Sequence, residues 1–198
     1  MMKLTASKAS PFVRKVLLTI ALKGLQDQVE PADDQDRAIR ARNPLHKIPT
    51  LLLEDGECVH DSHVICEYLD MLTPEPRLFP SDIKQRVKTL TLASLGDGIM
   101  EAALQVMFES RFRPADKRVE TWVERQQAKV DAGVDWLEHN LPVIGDHPDY
   151  GHLTIACALG YLDLRQSGAW RHGHPKLVAW LENFAQHVPA FGRSAPET

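Results

Sequence analysis

The segment Thr73-Pro74-Glu75-Pro76-Arg77-Leu78-Phe79-Pro80 divides the chain more firmly than any other feature. Each proline lacks an amide donor and fixes its own φ, so three of them in seven residues end any helix and leave a semi-rigid linker. Leu78 and Phe79 are expected to dock on a domain rather than remain in solvent. Short apolar runs, turns and helical patterns alternate before this break, and from Ser81 onward no stretch reads as a strand. The fold class expected is therefore α/β for the first third and all-α for the rest. The expected boundaries are a first domain at residues 1–76, a linker at 77–84 and a helical domain at 85–198.

Within the first third, Lys3 to Ala6 reads as a short buried strand. Ser10 then supplies an N-cap hydroxyl and Pro11 the favoured first helical residue. Val13, Val16, Leu17, Ile20 and Ala21 recur at helical spacing, and Gly24 stops the helix. Leu25 to Val29 is expected to form a second strand, and Asp36 to Arg42 a basic helical turn or two. Pro49 to Leu53 and Glu57 to His60 flank Asp55-Gly56, a strong hairpin signal. Ser62 to Leu72 is expected as an amphipathic helix with Val64, Ile65, Tyr68, Leu69 and Leu72 on one face.

The second part reads as four helices. They are Asp82 to about Phe112, softened at Gly96 and Gly98; Pro114 to Asn140; His152 to Gln166, apolar nearly all round and hence central; and Pro175 to Gln186.

Bulk properties remove several function classes. With 198 residues and 43% hydrophobic content, the chain can bury a full core. A net charge of −4 speaks against a nucleic-acid binder, which needs a basic patch or stripe. No run approaches the roughly 20 apolar residues that span a bilayer, and no signal-peptide core follows Met1. Cys58, Cys66 and Cys157 are odd in number and unpatterned, as reduced thiols in a cytoplasmic protein are. The histidines lack metal-ligand spacing, so no metal is expected.

Three short stretches carry the chemistry. Asn43-Pro44-Leu45-His46 is turn-like, because Pro44 restricts Asn43 to extended conformations. Lys47-Ile48-Pro49-Thr50 follows, with Pro49 opening an apolar run where a strand tolerates proline. A cis Ile48–Pro49 bond there would leave the N–H and C=O of Ile48 free to pair with an extended peptide ligand. Upstream, Ser7-Lys8-Ala9-Ser10-Pro11-Phe12-Val13-Arg14-Lys15 opens one helix, and downstream Asp61-Ser62 opens another. In this order the three stretches resemble the N-terminal, thioredoxin-like half of a cytosolic glutathione transferase. The helical remainder resembles that family's C-terminal domain, so the resemblance spans nearly the whole chain.

That resemblance implies an enzyme that binds glutathione as co-substrate and activates its thiol for attack on a hydrophobic electrophile. Ser10 is the expected thiolate stabiliser, since helix N-termini lower thiol pKa values and a hydroxyl adds a donor. Ser7 is the competitor, because some classes carry the catalytic serine three residues earlier. Asp61 and Ser62 match the acidic-Ser pair that holds the γ-glutamyl end, with Ser62 expected as N-cap and anion site. Ile48 would pair with the cysteinyl residue, and His46 and Lys47 could meet the glycyl carboxylate. Met100, Leu104, Met107, Phe108 and Arg111 are candidates to line the electrophile pocket. Leu153 to Cys157 takes the place of the family's Ser/Thr-x-x-Asp capping box, with Thr154 as N-cap and Cys157 where the acid stands. A homodimer, without nucleic-acid or membrane partners, is the implied assembly. A catalytically weak binding or regulatory protein, or a glutathione-dependent lyase, isomerase or dehalogenase, fits the same motifs.

Overall fold

A computed structural model describes residues 1–33 and 36–195, with Arg37 and Arg40 by backbone alone. Strand β1 (Met2–Ala6) leads into helix α1 (Pro11–Lys23), then β2 (Val29–Asp33), α2 (Arg37–Arg40), β3 (Thr50–Leu52), β4 (Cys58–His60) and α3 (Ser62–Met71). The sheet order is β2-β1-β3-β4, with β1 and β2 parallel and the other pairs antiparallel. Leu4 and Leu51, both fully buried, sit opposite one another at its centre.

Local chemistry explains α1 well. Ser10 caps it with extended backbone and its hydroxyl accepts from Val13 N–H, while Gly24 closes it in the left-handed region at φ 66°. The hairpin forms at Asp55-Gly56 as expected, with Gly56 at φ 88°. The second strand does not lie at Leu25–Val29 but begins at Val29. Leu25 is fully buried, its N–H donates to Ile20 O (2.9 Å), and it anchors the turn after α1 instead. β2 tolerates Pro31 because it is an edge strand. In α3, Val64 and Leu72 are exposed, whereas Ile65, Cys66 and Leu69 form the buried side.

The proline-rich segment is tied down by the C-terminal ends of α1 and α3. Lys23 Nζ donates to the carbonyls of Thr73 (2.8 Å) and Pro76 (2.7 Å) and pairs with Asp70 (3.0 Å). The Asp70 carboxylate in turn accepts from the N–H groups of Leu78 (2.9 Å) and Phe79 (3.1 Å). Leu78 and Phe79 are buried, as expected of docked residues.

The rest is helical: α4 (Ile83–Phe112), α5 (Glu120–His139), α6 (Tyr150–Gln166), α7 (Pro175–His187) and α8 (Ala190–Arg193), with single 3₁₀ turns at Ala115–Lys117 and Ala169–Arg171. α4 runs unbroken through Gly96 and Gly98. Gly96 serves close approach, since a Cβ there would stand 2.9 Å from the Thr154 methyl of α6. α5 starts at Glu120 rather than Pro114, because residues 115–117 wind as a tight turn first. α6 is the central helix, buried from Tyr150 to Leu162. Its N-cap is Asp149, not Thr154; Asp149 and His152 form a reciprocal capping box, and Thr154 lies inside the helix with its hydroxyl donating to Tyr150 O (2.8 Å).

Buried cations of α1 join the two parts. Lys15 Nζ lies 2.5 Å from Asp97 Oδ1 of α4 and donates to the Tyr150 hydroxyl of α6 at 3.1 Å. Arg14 donates to Phe191 O of α8 (2.6 Å) and stacks on that ring at 3.9 Å. Among the described residues, no helix is long and apolar enough to cross a membrane.

Candidate functional site

Strand direction brings three loops to one edge of the sheet. β1 runs toward Ala6 and β3 runs oppositely from Thr50, while Thr50 sits opposite His60 at the end of β4. The loop from Ala6 to Ser10, the residues before Thr50 and the Asp61-Ser62 step therefore emerge side by side.

At the first loop, Ser10 is half-buried and its N–H donates to Ser7 O (3.1 Å). Its Oγ accepts from Val13 N–H at 3.3 Å, which leaves the hydroxyl proton to donate elsewhere. Pro11 removes one of the helix's four orphan amides, and the others give this end of α1 its positive potential. Ser7 is also half-buried and directly follows the last residue of β1.

The second loop is held from below by residues that sequence reasoning passed over. Asn43, buried, donates to Lys47 O (3.0 Å) and Thr50 Oγ1 (3.1 Å), and accepts from Leu45 N–H (2.9 Å). Thr50 Oγ1 donates to Lys47 O (2.9 Å), and Thr50 N–H donates to Thr5 Oγ1 (2.9 Å). Asn43, Thr50 and Thr5 are each nearly solvent-free, so this polar knot fixes the loop. The signal for it was Asn43 before Pro44, a residue able to bond its own turn. The loop presents exposed His46 and Lys47, and its Ile48–Pro49 bond, which the sequence left open, is cis. Neither the N–H nor the C=O of Ile48 has a hydrogen-bond partner among the described residues.

At the third, the N-cap of α3 is Asp61 and not Ser62, which is the first helical residue. Asp61 Oδ1 accepts from His63 N–H at 2.8 Å, so the carboxylate does the capping that was expected of the serine. Asp61 also adopts φ 72°, ψ 129°, a conformation that costs a non-glycine residue on the order of 1–3 kcal/mol. Ser62 is buried, and its N–H stays without a partner among the described residues.

Behind this third loop, His63 packs against Tyr150 (5.2 Å) and Phe79 (5.6 Å), and Tyr150 stacks on Phe79 (4.5 Å). Burial pushes the Cys66 and Cys157 thiols up to about 12, so neither is a nucleophile. Cys58 is raised too, by burial, with Arg42 opposing. Of the residues expected along the electrophile pocket, Met100 is core, fully buried. Leu104, Met107 and Phe108 are half-buried and Arg111 is exposed.

With the geometry in place, resemblance to known proteins gives it a context. Residues 9–72 match the model of the glutathione S-transferase N-terminal domain, and residues 120–183 that of its C-terminal domain. The GST-like protein YibF of Escherichia coli is 34% identical over 98% of each chain. A glutathione transferase family member from Pseudomonas fluorescens Pf-5, solved with bound glutathione, superposes with a TM-score of 0.92 at 36% identity, covering 100% of both chains. A glutathione S-transferase from Methylobacillus flagellatus, also with glutathione bound, gives 0.91 at 32% over the same full span. Two family matches that together exceed half of the chain, and full-length relatives above 30% identity, lead to one conclusion: this chain belongs to the glutathione S-transferase family.

Proposed function

We propose that this protein binds glutathione along the sheet edge and ionises its thiol for transfer to a hydrophobic electrophile. One observation carries the reading: a spare hydroxyl proton, an unpaired peptide group and an open helix N-terminus stand on adjacent loops of the same edge. These are the three things an extended tripeptide thiol requires. In this reading Ser62, with its hydroxyl and N–H, takes the γ-glutamyl carboxylate at the start of α3. Asp61 Oδ2, not used by the cap, faces the ammonium. Ile48 pairs main chain to main chain with the cysteinyl residue, and Lys47 and His46 meet the glycyl carboxylate. Ser10 donates to the sulfur, and the α1 N-terminus adds its potential. The glutathione held by the Pseudomonas and Methylobacillus relatives supports this assignment.

The working assembly proposed is a cytoplasmic homodimer. Support for a second copy is the exposed apolar set Val64, Ile83 and Val87, which flanks the Glu67–Arg86 ion pair between α3 and α4.

The test is calorimetric titration with glutathione, then the thiolate ultraviolet difference band across roughly pH 5 to 9. Binding with a thiol pKa below that of free glutathione is expected. Ser10→Ala should raise that pKa by about one unit, the worth of a hydrogen bond to a charged group, and Ser7→Ala should not. The reverse pattern would move the role to Ser7. Saturable binding without ionisation would make the protein a carrier or regulator, and no binding would end the catalytic reading. Turnover of isomerase, lyase or dehalogenase substrates, with none of a conjugated electrophile, would assign the same site to those reactions.

A further inference from the structure

Two carboxylates from one turn of α5 meet the start of α7. Glu138, buried, accepts from the N–H groups of Lys176 (3.2 Å) and Leu177 (2.8 Å), and so does the capping for α7. His174 is the N-cap residue, but its side chain makes no cap bond. The ring turns back instead, with Nδ1 2.5 Å from Trp170 O and Nε2 2.7 Å from Asp135 Oδ1. Its side chain is 16% exposed, whereas that of Asp135 is 67% exposed.

These two partners fix the state of the ring. A carbonyl and a carboxylate can only accept, so both ring nitrogens must donate, and a histidine that donates twice is an imidazolium. Among the described residues, His139 and His187 each meet a single carbonyl, of Asp135 (2.8 Å) and Asn183 (2.9 Å), which a neutral tautomer satisfies. A cation at a helix N-terminus is opposed by the macrodipole. The charge that offsets this comes from α5, where Asp135 touches the ring and Glu138 holds the α7 amides. The other charged groups nearby are matched or exposed. Arg171, in the preceding 3₁₀ turn, pairs with Asp163 of α6 (2.7 Å), and Glu182 of α7 also acts on it. His172 and Lys176 are exposed, and α8 follows the opposite end of α7.

We propose that His174 is a pH-sensitive clasp of α7 on α5, closed while its ring holds two protons and opened by the loss of one. Losing a proton turns one N–H into a lone pair that faces an acceptor, and two acceptors repel. The Asp135 contact is the one that opens, because its exposed carboxylate returns to water, whereas Trp170 O is main chain of the adjoining 3₁₀ turn. Burial alone would lower the pKa of the ring. The bonds to Asp135 and Trp170 O, with the charges of Asp135 and Glu138, hold it above the ordinary 6.5. A raised folded-state value contributes stability that is fully present below the unfolded value and is lost as pH rises through the folded one. The clasp stands independently of the glutathione reading.

The test is NMR titration of the His174 ring in the full chain over roughly pH 5 to 9, with urea unfolding across the same range. A midpoint above 6.5 is expected. In Asp135→Asn, a change at an exposed side chain, that midpoint should move down, because the charged partner is gone. In His174→Gln, the loss of stability on raising the pH through the wild-type midpoint should shrink. The ring titration and Asp135→Asn keep the test valid if His174→Gln fails to fold. A midpoint at or below 6.5, a midpoint unmoved in Asp135→Asn, or wild-type and His174→Gln stabilities that run parallel through neutral pH would overturn the proposal.

Discussion

The N-terminus of α3 lies open at the sheet edge, whereas that of α6 is sealed where the two parts of the chain meet. At α3, Asp61 satisfies only His63 N–H and leaves the Ser62 amide without a partner. At α6, Asp149 accepts from His152 N–H (3.1 Å), His152 Nδ1 accepts from Asp149 N–H (3.1 Å), and Thr89 adds a bond to the same carboxylate. Lys15 completes the closure by donating to Tyr150, the first residue of the helix. Both starts use an aspartate, yet at α6 the amide of the first helical residue is also taken, by Leu78 O (2.9 Å), whereas at α3 that of Ser62 is not. The lesson is that a cap residue does not define a binding site; what matters is how many of the four orphan amides remain after the protein's own side chains have taken theirs.

Breaking the sealed side should cost the most stability. Lys15→Met strands Asp97 at the seam and is expected to lower unfolding free energy by about 3 kcal/mol, read from urea denaturation. Asp149→Ala removes both the box and the Thr89 bond, for a loss of about 2 kcal/mol, and should leave glutathione affinity unchanged. A tenfold loss of affinity in that variant would mean that α6 is not the purely structural terminus described above.

The sealed terminus should also carry a pH signature. Burial alone would raise the Asp149 carboxyl, but its hydrogen bonds with His152 and Thr89 hold it below the ordinary 3.8. A lowered folded-state pKa contributes stability that is present above the unfolded value and is lost as pH falls through the folded one. Stability of the wild type should therefore decline below about pH 4, and Asp149→Asn should flatten that part of the curve. An unchanged acid limb in the variant would remove Asp149 from the account.

The open side should respond in the opposite sense. Ser62→Ala is expected to change stability by under about 0.5 kcal/mol, because Ser62 is not the cap, while weakening glutathione about tenfold. The smallest effect belongs to Asp61→Gly. Relief of the left-handed backbone, about 1 kcal/mol, offsets loss of the cap, also about 1 kcal/mol, so the melting temperature should barely move. A large drop would show that the Asp61 carboxylate does more in the fold than bind His63 N–H.

Much of this architecture was legible because its signals are local. Ser10, Pro11 and Gly24 set the limits of α1 within a few bonds of themselves, and Asp55-Gly56 set the hairpin. The prolines of the 73–80 segment marked the change from mixed to all-helical structure. Residues 47–50 and 61–62 could be picked out as loop and helix start from sequence, and strand directions then place them beside residue 10.

What the sequence determined by itself is the type and order of elements that close their own hydrogen bonds within four residues. The tertiary structure alone decided where partners distant in the chain take over. β2 lies at Val29–Asp33 because β1 offers a parallel edge, whereas the more apolar Leu25 was needed to end α1. Gly96 does not soften α4, because Thr154 lies against it. Thr154 is no cap and Ser62 is not the cap of its helix, because Asp149 and Asp61 reach the free amides first. A side chain's role at a helix start depends on which neighbour arrives to bond the orphan N–H groups, and that arrival is set by packing between segments far apart in sequence.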